Sequence, residues 1–172
     1  MRIDMQIRPA TIEDAEGIYN VNRITWLDTY PNEEYDIRRE DIVKKFSDTE
    51  SLIDKTRQRI EEYGADSQGW VAESDGKIIG FSIVRKKDGH DTIGAIYVLP
   101  EYQGKGIGTM LLQKILEFRK DSKELWLDVA SYNTSAINFY KKAGFQIVPK
   151  SEGKYETIDG KFLPTISMKL MR

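Results

Sequence analysis

Residues 103–108 read Gln103-Gly104-Lys105-Gly106-Ile107-Gly108, three residues (Pro100-Glu101-Tyr102) after an apolar run (92–99) and directly before an amphipathic stripe. A strand that ends in such a loop and continues straight into a helix is a phosphate-binding device. The first amides of a helix have no intrahelical acceptor, and the helix dipole makes that end partly positive. Gly104, Gly106 and Gly108 let an anion approach the backbone where a Cβ would block it, and Lys105 adds a flexible charge. In the helix that follows, Ile107, Met110, Leu111, Ile115 and Phe118 fall on one stripe, which predicts burial against a sheet.

Composition narrows the chemistry by what it lacks. The 172 residues contain no cysteine and one histidine, His90. Thiolate nucleophiles, disulfides, cysteine-held metals and any two-histidine metal site within one chain are thereby excluded, and no metal is expected. No G-x-S-x-G is present to build a serine nucleophile around His90. Carboxylates, tyrosines, backbone amides and water remain. A net charge of −2, with acids and bases interspersed, argues against a nucleic-acid partner. No apolar run approaches the ~20 residues that span a bilayer, so no membrane association is expected. Residues 1–5 carry an early acid, Asp4, and no apolar leader core, from which a cytoplasmic location is expected. The length suits one domain over residues 1–172.

Along the chain, residues 5–8 alternate like a strand, and Pro9-Ala10-Thr11 breaks it. Thr11 with Asp14 resembles a capping arrangement for a helix carrying Ile12, Ala15, Ile18, Tyr19 and Asn22. Tyr30-Pro31-Asn32 interrupts that helix. A second helical region, 38–63, is expected in two pieces with Ser47-Asp48-Thr49 as hinge and Gly64 as terminator. Residues 69–73 and 77–87 read as a hairpin around Ser74-Asp75-Gly76, and Asp88-Gly89-His90 turns into a third strand, 92–99. A strand at 124–129 precedes a helix at 134–143, with Asn133 as N-cap and Gly144 as left-handed stop. Residues 145–148 and 166–170 read as final strands separated by a polar, hairpin-like stretch. The order β-α-α-β-β-β-α-β-α-β-β suggests one mixed sheet with helices on its faces.

Several phosphate ligands can be compared against the loop. The P-loop pattern G-x-x-x-x-G-K-[ST] is absent. An acid, Asp128, lies twenty positions after Gly108, as in dinucleotide-binding proteins, yet the spacing here is G-x-G-x-G and not G-x-G-x-x-G. An NAD(P)-dependent oxidoreductase therefore fits poorly. The loop instead resembles the [QR]-x-x-G-x-[GA] signature of the GNAT superfamily of N-acetyltransferases. The preceding Ile96-Tyr97-Val98-Leu99-Pro100-Glu101-Tyr102 is similar to that family's strand-to-loop lead-in. Asn133-Thr134-Ser135-Ala136-Ile137-Asn138-Phe139-Tyr140 with Lys142-Ala143-Gly144-Phe145 resembles its second block. Segment Thr25-Trp26-Leu27-Asp28-Thr29-Tyr30 is similar to the polyamine and protein N-terminal acetyltransferase branches.

The resemblance implies the family's α/β (α+β) fold, a mixed, mostly antiparallel central sheet flanked by helices. It implies an acyltransferase with acetyl-CoA as co-substrate and an amine acceptor: a polyamine, another small-molecule amine or a peptide amine. A homodimer stays open. Backbone amides from Gln103 and Gly104 through Lys105, Gly106, Ile107, Gly108 and Thr109 would hold the coenzyme A pyrophosphate. The pantetheine arm would pair with Ile96, Tyr97 and Val98, and Asn133 would contact the cofactor. Tyr140 would lie by the thioester sulfur and return a proton to the thiolate, while the Val98 N–H would receive the oxyanion.

One position departs from the family. Where many members place a glutamate, about eleven residues before the loop's first residue, this chain has Thr92. Asp91, His90, an ordered water chain or the acceptor's own neutral fraction remain as routes for the amine proton. A non-catalytic acetyl-CoA-binding protein is the alternative this substitution raises. On the acceptor side, Trp26, Tyr30, Glu33, Glu34, Tyr35 and Asp36 cluster at the first helix break, a set suited to a cationic amine.

Overall fold

Two aspartate–glycine pairs set the sheet's centre. Asp75 and Gly76, and again Asp88 and Gly89, have positive φ at consecutive positions, the backbone of tight hairpin turns whose twist matches that of antiparallel strands. They join β2 (Ser67–Ser74), β3 (Lys77–Lys87) and β4 (His90–Val98) into an antiparallel meander. The structure is a computed structural model and describes residues 5–158 and 160–172. Residues 1–4, on which the leader reading mostly rests, lie outside the described residues.

Around the meander the chain adds β1 (Met5–Pro9), α1 (Ala15–Thr29), α2 (Arg39–Lys45) and α3 (Thr49–Glu61) before it. After it come α4 (Ile107–Phe118), β5 (Glu124–Ala130), α5 (Thr134–Lys142), β6 (Gln146–Ile147), β7 (Gly153–Ile158) and β8 (Lys161–Met171). The sheet order is β1-β2-β3-β4-β5-β8-β6, with β7 paired to β8. Among the described residues only β4 and β5 run parallel. The fold is the mixed, mostly antiparallel sheet with flanking helices that the resemblance implies. The helical region after residue 38 does divide in two, and Asp48 caps the second piece by accepting the Ser51 N–H at 3.3 Å.

Three local expectations shift. The polar stretch before residue 166 forms β7 and lengthens β8, because cross-strand partners organise residues that carry no alternating pattern of their own. In α4 the core takes Ile107, Leu111, Leu112 and Ile115, while Met110 and Phe118 stay more than a third exposed. The buried stripe is centred on 111 and 115, so Leu112 falls inside it and Met110 on its edge. Each buried aliphatic side chain there contributes roughly 1.5–3 kcal/mol. Gly144 has φ +96 and ends α5 as expected, but α3 stops before Gly64.

Two apolar clusters follow from this layering. The larger packs α1, α3 and α4 against the sheet. The smaller joins Tyr19, Trp26, Leu27 and Tyr30 of the α1 region and Ile37, Ile42 and Phe46 around α2 to Ala130 and Leu163 of β5 and β8. It spans the two halves of the sheet at the point where they separate.

Candidate active site

The parallel strands β4 and β5 share only two register positions, Thr92 with Trp126 and Ile93 with Leu127. Gly94 then stands as an extra residue opposite β3, since Ile83 pairs with Ala95 and Val84 with Ile93. A bulge at that point turns the rest of β4 away from β5 and opens the sheet. Leu99 donates its N–H to the Ile79 carbonyl at 2.9 Å. Antiparallel alternation therefore directs Leu99, Tyr97 and Ala95 at β3, and turns the N–H and C=O of Ile96 and Val98 to the open side. An extended amide chain can add there as a strand. The opening is a cleft of about 580 Å³.

The glycine-rich loop closes one end of this cleft. Gly104 and Gly106 have φ of +73 and +82, and Gly106 is the N-cap of α4. Met110 is the first residue to bond back, to the Gly106 carbonyl at 3.0 Å. The amides of Ile107, Gly108 and Thr109 remain as donors at the positive end of the helix, and all three residues line the cleft. Gln103, Gly104 and Gly106 line it too. Lys105 does not: its Nζ lies 5.2 Å from the Tyr102 ring centre, outside the lining. A Cβ at Gly108 would meet the Phe139 ring at an ordinary contact distance, so helix packing does not itself require glycine there.

Tyrosines dominate the middle of the cleft. Tyr140, 7% exposed, is flanked by Phe139 and Phe145. Among the described residues its hydroxyl has no hydrogen-bond partner, and burial, with Tyr97 nearby, pushes its pKa well up. The hydroxyls of Tyr30 and Tyr97 are 3.0 Å apart, and burial raises both pKa values. Tyr132 donates to the Tyr30 carbonyl at 2.7 Å, and its own pKa is pushed up to about 12, chiefly by burial. Its ring stacks on Tyr35. The segment after α1 is thus tied to β4 on one side and to the β5–α5 connection on the other. Asn133 lines the cleft and also caps α5, accepting the Ala136 N–H at 3.2 Å.

The carboxylates fall differently from the sequence reading. Asp91 is held by Arg119 Nε at 3.2 Å and by the Ser122 hydroxyl, and does not line the cleft. His90 packs on Trp126 and is likewise outside. Thr92 is buried and donates to the His90 carbonyl at 3.2 Å. Glu33 and Glu34 sit exposed on a 3-10 turn beyond the lining, and Asp36 pairs with Lys161 and Arg38. Asp28, in the last turn of α1, does line the cleft, beside Thr25 and Thr29. The one sequence signal for it is an acid at a helix C-terminus, where the dipole disfavours negative charge. Asp128 lines the cleft as well, with Ser167 and Lys87 as partners.

An opened strand edge that ends at a free helix N-terminus defines a binding site for an extended amide chain carrying a diphosphate, the chemistry of an acyl-CoA. A profile of the Acetyltransferase (GNAT) family matches residues 15–145, and the chain belongs to that family. It is 29% identical over 162 residues to the N-alpha-acetyltransferase of Sulfurisphaera tokodaii, covering 84% of this chain and 82% of that one. It is 30% identical over 166 residues to the N-alpha-acetyltransferase of Sulfolobus acidocaldarius, covering 86% and 83%. The solved PaiA N-acetyltransferase from Thermoplasma acidophilum, in complex with coenzyme A, superposes with a TM-score of 0.71 at 26% identity, covering 98% of this chain and 99% of that one. The protein is an acetyltransferase whose co-substrate is acetyl-CoA.

Proposed function

We propose that the acceptor is the α-amine of a peptide or protein N-terminus. The observation that carries this is that Thr92, not a carboxylate base, is buried at its position on β4, while Asp91 and His90 lie outside the cleft. Without that base the enzyme favours an amine with a large neutral fraction. An α-amine with pKa ~7.7–8.0 is about a third neutral at pH 7.5, whereas a lysine or polyamine amine with pKa ~10.4 is only about a thousandth neutral. The two N-alpha-acetyltransferase relatives that span most of this chain support the same acceptor. Asp28 at the rim draws the ammonium form toward the cleft, where it loses its proton to water.

In this reading the amides of Ile107, Gly108 and Thr109 hold the diphosphate, and Ile96 pairs with the pantetheine amides. The neutral amine attacks the acetyl carbon, and the carbonyl oxygen gains charge at the Val98 N–H. The C–S bond then breaks. Tyr140 gives its proton to the thiolate and regains one from the acylated nitrogen through solvent. Burial keeps that phenol protonated across the working pH range.

Steady-state rates with a free-N-terminal peptide, the same peptide N-acetylated but with an internal lysine, and spermidine test the proposal. The free N-terminus is expected to give kcat/KM at least ten times that of either rival. A faster lysine or spermidine reaction overturns it.

A further inference from the structure

We infer that the Gln103 side chain is a positioning residue for acyl transfer: it grips the Val98 carbonyl and offsets its negative charge beside the amide that receives the oxyanion. The inference rests on the role proposed above for the Val98 N–H.

Gln103 Nε2 donates to the Val98 carbonyl at 2.9 Å. That carbonyl lies on the open side of β4, because Leu99 donates to Ile79 on the closed side. In a β-strand the N–H and C=O of one residue point to the same edge. The Val98 carbonyl is therefore a fixed negative dipole on the same strand edge as the charge that develops at the Val98 N–H. Left alone it opposes that charge; bonded to the Gln103 amide, its field is partly cancelled. Hydrogen bonds in a partly desolvated cleft polarise one another, so the effect grows once the cofactor covers the site.

The same bond closes a ring. The chain leaves β4 at Val98 and makes a 3-10 turn over Pro100–Tyr102, in which the Tyr102 N–H bonds the Leu99 carbonyl and the Gln103 N–H bonds the Pro100 carbonyl. The Gln103 side chain then returns to the strand's last carbonyl. The diphosphate end of the cleft and the acyl end are thereby fixed relative to each other through one side chain. A residue at the start of the glycine-rich loop thus acts through its side chain at the reacting end.

The test compares Gln103→Met, which keeps the shape and removes the donor, with Gln103→Arg, which restores one. We expect Gln103→Met to lower kcat five- to tenfold with the Kd for coenzyme A and the Tm nearly unchanged, and Gln103→Arg to recover most of the rate. Infrared spectra of a bound non-transferable acetyl-CoA analogue, isotopically labelled at the carbonyl, separate the two layers of the argument. The wild type is expected to show a red-shifted carbonyl stretch and Gln103→Met a smaller shift. An equal shift in both, an unchanged kcat, or a loss of rate matched by weaker coenzyme A binding overturns the Gln103 role alone. No red shift in the wild type removes the Val98 role and the Gln103 role with it.

Discussion

The hydroxyl of Tyr30 lies 3.0 Å from that of Tyr97, joining the segment after α1 to the open half of β4. The same residue's carbonyl takes the Tyr132 hydroxyl from the far side of the split sheet. One tyrosine therefore bridges the two halves where their backbone pairing has ended. Replacing Tyr30 with Phe leaves the Tyr97 hydroxyl short of a partner. A loss of about 1–2 kcal/mol, or roughly 2–8 °C in Tm, is expected. The KM for the peptide should rise severalfold while that for acetyl-CoA holds, which steady-state kinetics with each substrate varied will show.

Tyr140→Phe separates chemistry from packing. The ring stays between Phe139 and Phe145, and the lost hydroxyl had no partner among the described residues. We expect kcat to fall about 100-fold with Tm moved by no more than about 2 °C. A variant that keeps its rate would remove Tyr140 as the proton donor.

Asp28→Asn moves activity and stability in opposite directions. The carboxylate sits in the last turn of α1, at the negative end of the helix dipole, and lines the cleft. Its neutralisation should stabilise the protein by about 0.3–1 kcal/mol while raising the peptide KM about threefold. Thermal melts and initial rates on one preparation check both halves.

The pH profile follows from which group must lose a proton. The kcat/KM should rise with pH to a plateau near the α-amine pKa of ~7.7–8.0. Burial raises the Tyr140 pKa, so its ionisation produces no fall in rate below the ordinary phenol value of ~10. A descending limb near pH 8 would contradict the assignment.

Acid stability reads out a different cluster. Arg8 grips Asp14 through both oxygens, at 2.7 and 2.8 Å, and Thr11 donates its N–H to the same carboxylate. Burial alone would raise the Asp14 pKa, but these partners outweigh it and hold it below its ordinary value. A carboxyl depressed in this way contributes its stability above the unfolded value of ~3.9, and loses it as pH falls through the folded value. Asp14→Asn should therefore cost about 2 kcal/mol at pH 7, and the gap to wild type should shrink in urea melts below about pH 4.

What could be read from the chain alone was what depends on neighbours in sequence. The glycine loop, the start of α4 after Gly106, the Asn133 cap and the aspartate–glycine hairpins all follow from the dihedral and hydrogen-bonding needs of a few consecutive residues. With two motif blocks in order, they also gave the family. The acceptor side was not legible in that way. Whether Asp91 or Asp28 reaches the cleft depends on a bulge at Gly94 and on Arg119, a residue 28 positions away that claims Asp91 for itself. Only the tertiary structure opened β4 from β5, brought Tyr30 to Tyr97 and turned the Val98 carbonyl to Gln103. Strand pairing and burial between distant segments decide those contacts, and no local propensity encodes them.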